Sequence, residues 1–227
     1  MTTAVAIFVK TPGLSPVKSR LAASIGKGKA EAFYLLSVQA SEAVVLSAKA
    51  LLNNRLHPYF AVAEKEAVNL PIWKNLTAMH SGEGGLGLRL DYVYSTLLKK
   101  HQSVLLIGAD SPQITPDIIV QAHGMLKQSS SFIFGGAHDG GFYLFGGSKP
   151  VSKEIWSDVT YSSEKTLEQM VQNFSAIGEI TYLKPLSDVD IESDINILEH
   201  EFSSPLLPPQ KKLKEWCVTE IVGKLNY

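Results

Sequence analysis

The polar residues best suited to chemistry follow apolar, strand-like runs of the sequence. Asp110 comes directly after "VLLIGA" and before Ser-Pro, and Asp188 and Asp190 follow "EITYLKPL". Side chains two apart in an extended segment point the same way, so Asp188 and Asp190 could face one hard cation. The structural alternatives are a turn that begins at Asp110, and a helix cap supplied by Asp190 or Ser193.

A group of cations follows the first apolar run, "AVAIFV". Lys10, Lys18 and Arg20 lie in the segment "KTPGLSPVKSRL", which holds a single glycine. Cations beside the start of a helix can hold a polyphosphate with the help of free backbone N–H groups. A solvated basic loop is the alternative. Carboxylates at two strand ends and cations at a third are what a divalent metal and a diphosphate would require together.

These residues need a scaffold, and the sequence alternates between the strand and helix periodicities. Apolar runs predict strands at 4–9, 58–63, 103–108 and 179–186, and helical spacing predicts helices at 27–50, 88–100, 116–128, 162–174 and 192–202. Thr115 and Ser162 are the expected caps of two of these helices. The alternation predicts an α/β fold, a three-layer α/β/α sandwich with a mostly parallel sheet, and a hairpin within 132–146 would make that sheet mixed. Ligands of such sheets bind beyond the carboxyl ends of the strands.

Composition limits the class of protein. The 227 residues suit one α/β domain, predicted at 1–202, with a linker and helix at 203–227 packed on it. The formal net charge is −1 without a run of Lys and Arg, which argues against a nucleic-acid or membrane surface. The lone Cys217 excludes an internal disulfide and a cysteine-based zinc site. With no secretory signal and no apolar run of membrane-spanning length, a cytoplasmic location is expected.

The stretch "GEGGLG" (82–87) offers a competing interpretation. It matches G-x-G-x-x-G, it opens a predicted helix, and Asp110 follows Gly87 by 23 residues, close to a dinucleotide-binding fingerprint. The preceding "NLTAMHS" is a poor candidate for the buried strand that the fingerprint needs. We therefore regard dinucleotide binding as the weaker hypothesis.

Five blocks of the sequence together resemble a known family. They are "FVKTPGLSPVKSRLA", "GEGGLGLRL", "IGADSPQITPDII", "GGAHDGGFYLFG" and "DVDIESDI", in the order and spacing of the DUF2064 family. That family, also called selenodomain-associated transferase 1, comprises nucleotide-diphospho-sugar transferases of the glycosyltransferase-A fold. Its relatives include the nucleotidyltransferases that make guanylyl-phospholactate and the molybdopterin guanine dinucleotide cofactor. The resemblance covers roughly residues 4–199.

The resemblance implies a role for each block. The first block, the glycine-rich loop and the central strand end would bind the nucleotide, through Lys10, Thr11, Pro12, Lys18, Arg20, Arg89 and Gly108. Mg²⁺ or Mn²⁺ would be held by Asp110, Asp188 and Asp190. Asp110 and Asp139 would be catalytic, and the substrate would meet Asp139, Gly140 and Gly141. The implied partners are a nucleotide-diphospho-sugar or an NTP together with a small-molecule acceptor, and a homodimer is left open.

The glycine-rich loop departs from the family's usual pattern Q-G-x-G-D-L-G-E-R. Ser81 replaces the Gln, Gly85 the Asp and Leu88 the Glu, and Arg89 remains. A cation in the first turn opposes the helix dipole, and a bound anion could offset that cost, so Arg89 is expected to contact a phosphate or carboxylate. Three functions follow as hypotheses: a metal-dependent glycosyltransferase, a nucleotidyltransferase, and a non-catalytic nucleotide-binding relative.

Overall fold

The fold is organised around β1 (Thr3–Val9), which lies in the middle of a seven-stranded sheet. The computed structural model describes residues 2–128 and 132–221. Six of the seven residues of β1 are buried. A run that is apolar on both faces fits a central strand covered by helices on either side. The first apolar run of the sequence therefore becomes the core strand that the pattern predicts.

Six further strands complete the sheet. They are β2 (Leu56–Val62), β3 (Thr77–His80), β4 (Ser103–Gly108), β5 (Phe132–Ala137), β6 (Phe142–Gly147) and β7 (Ile180–Leu186). Their order across the sheet is β3-β2-β1-β4-β6-β5-β7. All neighbouring pairs are parallel except those of β6, which is antiparallel to both β4 and β5. The predicted hairpin at 132–146 is thus confirmed, and the sheet is mixed.

Eight α-helices are present in the described residues. They are α1 (Ser19–Ile25), α2 (Lys27–Leu51), α3 (Leu86–Leu98), α4 (Pro116–Gln128), α5 (Lys153–Ser157), α6 (Thr166–Ser175), α7 (Glu192–Glu201) and α8 (Pro208–Glu220). As predicted, Thr115 caps α4: its Oγ1 accepts a hydrogen bond from the backbone N–H of Ile118 at 3.4 Å.

Alternate residues of the central strands face opposite layers of helices. Val5, Ile7 and Val9 of β1 pack into one apolar cluster, with residues of α2 and α4. Ala4 and Ala6 belong to a second cluster, with residues of α3, α5 and α6. Helices therefore cover both faces of the sheet, and the predicted three-layer α/β/α sandwich is confirmed.

Three short elements were not predicted from the sequence: α1, β3 and α5. The start of α6 was also predicted wrongly. The helix begins at Thr166 rather than at 162, and Ser162 has a φ of 57° in the turn before it. Thr166 Oγ1 donates to the carbonyl of Ser163 at 2.7 Å and accepts from the N–H of Ser163 at 3.1 Å, so a threonine closes this turn.

The C-terminal segment packs against the rest of the chain through an apolar face of α8. Leu213 and Cys217 are buried in one cluster with Phe33 of α2 and with Ile195 and Leu198 of α7. In the ranges 2–128 and 132–221, no helix is long and apolar enough to cross a membrane.

Candidate functional site

A cleft of about 1350 Å³ opens at the carboxyl ends of β1 and β4. Three polar segments converge on it: the loop after β1, the loop after β4, and the segment between β7 and α7. The parallel arrangement of β1 and β4 brings their carboxyl ends to one edge of the sheet, where ligands of such sheets bind. Most of the residues predicted for the site line this cleft, namely Lys10, Lys18, Arg20, Arg89, Gly108, Asp110, Asp139, Gly140, Gly141, Asp188 and Asp190.

Lys18 is the central cation of the cleft. It immediately precedes α1 with φ 46° and ψ 45°, a left-handed conformation that costs energy for a residue with a Cβ. This backbone turns the side chain inward, where it is only 3% exposed, and Nζ lies 2.6 Å from Asp110 Oδ1 and 3.6 Å from Asp190 Oδ1. Nζ also donates to the carbonyl of Val189. Lys18 therefore joins loops that follow three different strands.

The charge state of Lys18 follows from these contacts. Burial by itself lowers the pKa of an ammonium group, because the charged form loses hydration. The charge and the hydrogen bond of Asp110, with the charges of Asp190 and Asp188, outweigh burial and raise the pKa of Lys18. The contacts in the cleft thus favour the charged ammonium form of Lys18 beside its carboxylates.

The loop of Asp110 and the segment of Asp188 are joined directly. The N–H of Val189 donates to the carbonyl of Asp110 at 3.2 Å, and Ser111 Oγ donates to Asp188 Oδ1. Burial, followed by the nearby charge of Asp110, raises the pKa of Asp188 to about 7. A buried carboxyl group beside a second carboxylate resists ionisation, and this arrangement is typical of functional sites.

Asp190 serves the cation network rather than the cap of α7. Its Oδ2 accepts a hydrogen bond from Arg20 at 3.1 Å. The cap is supplied by Asp194, whose Oδ2 accepts the N–H groups of Asp190 and Ile191, both at 2.9 Å. The alternative that Asp190 or Ser193 caps this helix is therefore wrong. Asp188 and Asp190 both line the cleft, as their alternation predicts, with Val189 buried between them.

Mg²⁺ and Mn²⁺ prefer oxygen ligands, and several carboxylates line the cleft. Within the described part of the chain, no three His, Cys, Asp or Glu residues form a ready-made metal cage. Asp110 and Asp188 nevertheless supply hard oxygen ligands from two linked loops that line the same cleft. Mg²⁺ is commonly held by one or two carboxylates with phosphates and waters as its other ligands. Their like charges are also what a divalent cation would neutralise. The residues present therefore fit such a metal through Asp110 and Asp188.

The opposite wall of the cleft is formed by the turn between β5 and β6. Asp139 Oδ1 accepts the N–H of Gly141 at 2.9 Å, which orients the carboxylate. Gly140 has a φ of +88°, and a Cβ there would lie 2.0 Å from the carbonyl oxygen of Glu164. Glycine is therefore required at 140, both for its conformation and for the close approach of the segment before α6.

The glycine-rich loop is held in place by Arg89. Its Nε donates to the carbonyl of Gly84 at 3.0 Å, and its Nη1 donates to the carbonyl of Ala63 at 3.0 Å and to Ser81 Oγ at 2.9 Å. Part of the guanidinium is thus committed to the protein itself, although Arg89 also lines the cleft. Ser81 is a partner in this arrangement.

The topology weakens the dinucleotide hypothesis. The strand before the glycines is β3, a four-residue edge strand in which no residue is fully buried. The fingerprint places its acid on the strand that follows the glycine-opened helix, beside the first strand. Here β2 and β1 separate β3 from β4, the strand that Asp110 follows.

Two predicted nucleotide-binding residues lie behind the cleft rather than in its lining. Thr11 is buried; its N–H donates to Glu64 Oε2 at 2.9 Å and its Oγ1 accepts from Trp73 Nε1 at 3.2 Å. Pro12 follows it and is also outside the lining. Their position supports the shape of the loop that carries Lys10 and Lys18.

Some residues of the site were missed by the sequence reasoning. Glu64 supports the site from outside the cleft lining by accepting the N–H of Thr11. It follows β2 by two residues, as Asp110 follows β4, so the rule that drew attention to Asp110 would have found it. Tyr161, Ser163 and Glu164 line the wall beside Asp139, and no local pattern marks them. They come from the irregular segment before α6, whose position depends on contacts distant in sequence.

Comparison with known proteins agrees with this architecture. A crystal structure from Desulfovibrio desulfuricans G20, provisionally named a nucleotide-diphospho-sugar transferase, is similar with a TM-score of 0.83 at 22% identity, covering 98% of each chain. The 4-diphosphocytidyl-2C-methyl-D-erythritol synthase of Anaerococcus prevotii DSM 20548 is similar with a TM-score of 0.54 at 10% identity, over 87% of this chain and 96% of that one. A cytidylyltransferase from Leptospira borgpetersenii gives a TM-score of 0.50 at 10% identity, over 97% of each chain.

The chain therefore has the fold shared by these proteins. No protein of curated function matches it significantly. A family model described as "Uncharacterized protein conserved in bacteria (DUF2064)" matches residues 39–163, more than half of the chain. The residue blocks of the cleft, the fold and this match together place the protein in the DUF2064 family.

Proposed function

We propose that this protein is a metal-dependent glycosyltransferase that uses a nucleotide-diphospho-sugar as donor. The observation that carries the proposal is the juxtaposition of Asp110 and Asp188 with the buried Lys18 at the carboxyl ends of the strands. Carboxylates that fit a divalent cation stand beside cations that fit a diphosphate, within a cleft large enough for a sugar nucleotide. The name of the similar Desulfovibrio protein supports the same class of donor.

Each group of residues in the cleft would have a separate role in the proposed reaction. Lys10, Lys18 and Arg20 would bind the diphosphate, and Asp110 and Asp188 would hold Mg²⁺ or Mn²⁺. The metal would supply charge stabilisation for the leaving diphosphate. Asp139, already oriented by the N–H of Gly141, would accept the proton of the acceptor hydroxyl.

The proposed reaction is balanced without a further reactant. The acceptor oxygen forms a bond to the anomeric carbon, while the bond from that carbon to the diphosphate oxygen breaks. The hydroxyl proton passes to Asp139, and the nucleoside diphosphate leaves with the bonding electrons. Lys18 and Arg20 would stabilise the charge that develops on the departing oxygen.

A second function, nucleotidyl transfer, is favoured by a separate observation. Both the Anaerococcus synthase and the Leptospira cytidylyltransferase share the fold. The three cations after β1 could contact a triphosphate as well as a diphosphate. In that reaction a phosphorylated acceptor attacks the α-phosphorus and pyrophosphate leaves.

A product assay separates these functions. The protein is incubated with Mn²⁺ and either a panel of nucleotide-diphospho-sugars or a panel of NTPs with phosphorylated acceptors. Release of a nucleoside diphosphate that depends on a sugar nucleotide and on Asp110 supports the proposal; release of pyrophosphate supports the second function. Asp110→Ala should abolish the release, and Asp158→Asn, which changes an exposed carboxylate outside the cleft, should not.

A non-catalytic relative would give a different result. It would show a metal-dependent thermal shift with nucleoside diphosphates and no product from either panel. Loss of the polar residues at 81, 85 and 88 motivates this third alternative. The same thermal-shift screen identifies the preferred base before any acceptor is known.

A further inference from the structure

A network of buried polar groups joins both acid-bearing loops to the C-terminal helices. Glu201, the last residue of α7, accepts the N–H of Ser187 at 3.0 Å and its Oγ at 2.6 Å. It also accepts Gln113 Nε2 at 2.8 Å, and the same Nε2 donates to the carbonyl of Ser187 at 2.6 Å. Ser187 directly precedes Asp188, and Gln113 lies three residues after Asp110. The two loops are therefore fixed to each other and to α7.

Gln210 of α8 completes this network from the far end of the chain. It is only 3% exposed, and its Nε2 donates to the carbonyls of Pro112 and Ile114 at 2.9 and 3.0 Å. Its Oε1 accepts the N–H of Leu207 at 3.2 Å, so the same side chain also closes the first turn of α8. A single amide thus satisfies two carbonyls of the loop that carries Asp110 and ties that loop to the helix.

We infer that Gln210 is a positioning residue for the carboxylates of the cleft, and that the segment 203–221 is a working part of the site. This inference rests on the proposed function, because the two carboxylates that Gln210 would position, Asp110 and Asp188, are the proposed metal ligands. The part of the chain that the family model matches ends at residue 163, well before this segment. Gln210 touches neither carboxylate and acts through the backbone of 112–114.

Gln210 is expected to affect metal binding because a metal site requires its ligands to be held in a fixed geometry. Asp110 is half exposed, and its side chain is held by the ion pair with Lys18 while its backbone depends on the loop that follows. The turn that follows it is short, with the N–H of Ile114 bonded to the carbonyl of Ser111 at 3.1 Å. Without Gln210, two buried carbonyls would lose their donors and the turn would be free to move. Residues that support metal ligands commonly change metal affinity by about 10- to 100-fold when they are replaced.

The test uses the full chain with two variants, each at a buried residue. Gln210→Met keeps the size of the side chain and removes both donors. Leu97→Ala removes apolar packing at the end of α3 remote from the cleft, where Leu97 is 1% exposed. Mn²⁺ alone is titrated into each protein, and the free ion is measured from its electron paramagnetic resonance spectrum at a temperature where each variant is fully folded. We expect Gln210→Met to weaken Mn²⁺ binding by about tenfold or more, and Leu97→Ala to leave it unchanged.

A second measurement needs no ligand. Hydrogen exchange of the amides of Ile114 and Val189 reports on the turn and on the link between the loops, and both should exchange at least about tenfold faster in Gln210→Met than in Leu97→Ala. Gln210→Glu retains the acceptor for Leu207 and lacks the donors, so it should behave like the methionine variant if the donors matter. Wild-type protein that binds no Mn²⁺ would refute the metal-dependent function and leave the exchange test intact. Equal exchange and equal Mn²⁺ affinity in Gln210→Met and wild type would overturn the inference.

Discussion

The buried carboxyl group of Asp188 leads to a quantitative prediction about stability. Its pKa rises from 3.8 to about 7 in the folded protein, mainly through burial and then through the charge of Asp110. A folded pKa of about 7 against an unfolded pKa of 3.8 corresponds to a loss of about 4 kcal/mol of unfolding free energy between low and high pH. The ionised wild-type side chain is therefore expected to destabilise the metal-free fold.

The raised pKa of Asp188 determines how the stability of the protein changes with pH. Because the folded pKa lies above the unfolded one, the favourable contribution of Asp188 is complete below about pH 4 and is lost as the pH rises to about 7. Asn cannot ionise, and its amide oxygen can still accept the hydrogen bond from Ser111. Asp188→Asn should therefore match wild type near pH 4 and exceed its stability by about 2 to 4 kcal/mol at pH 8.

Urea unfolding between pH 4 and 8.5, in the presence of EDTA, measures this difference. Asp158→Asn is the matched control, because it removes an exposed carboxylate outside the cleft and should give no comparable rise with pH. A difference between Asp188→Asn and wild type that does not change with pH would refute the reasoning. So would an Asn variant that is less stable than wild type at pH 8.

Three further predictions concern other residues of the cleft. Arg89→Ala should lower the free energy of unfolding by about 1–2 kcal/mol, measured by urea unfolding, because three hydrogen bonds that hold the glycine-rich loop are lost. Lys18→Met should lower the melting temperature because the ion pair with Asp110 is lost, and it should bind Mn²⁺ alone more tightly in calorimetry because the competing cation is gone. Lys10 is an exposed cation of the same cleft, so Lys10→Met should show smaller changes in both measurements. Gly140→Ala should lower the free energy of unfolding, measured in urea, by at least about 2 kcal/mol, because residue 140 has a left-handed φ and a Cβ there would meet the carbonyl of Glu164. At Gly124 in α4 a Cβ would meet nothing within 4 Å, so Gly124→Ala should raise the free energy of unfolding by up to about 1 kcal/mol.

The central sheet could be predicted from the sequence because its strands are marked locally. The unbroken apolar runs of β1 and β4 can be buried on both faces, and Asp110 is conspicuous because a carboxylate ends such a run. The short elements carry no such signal. β3 has four residues, and α1 has seven with no side-chain cap, so tertiary contacts rather than local propensity fix them.

The electrostatic connections of the site could not be read from the sequence. Lys18 was expected to meet phosphate, but its ion pairs with Asp110 and Asp190 join positions 92 and 172 residues apart. Arg89 was expected to contact a phosphate or carboxylate, and the structure gives it three acceptors within the protein, two in the glycine-rich loop and one at Ala63 after β2. Both outcomes depend on the order of the strands, which local patterns do not determine.

The balance of charge in the cleft explains why a cation is expected to enter with the nucleotide. Five carboxylates line it, from Asp110, Asp139, Glu164, Asp188 and Asp190, against four cations, from Lys10, Lys18, Arg20 and Arg89. Three of those cations already bind partners in the protein: Lys18 and Arg20 hold carboxylates, and Arg89 holds backbone carbonyls and Ser81. A diphosphate that recruits Lys18 competes with Asp110, Asp188 and Asp190 for their shared cation and adds further negative charge beside them. A divalent cation that enters with the diphosphate restores the balance, so metal and nucleotide should each raise the affinity for the other by the same factor.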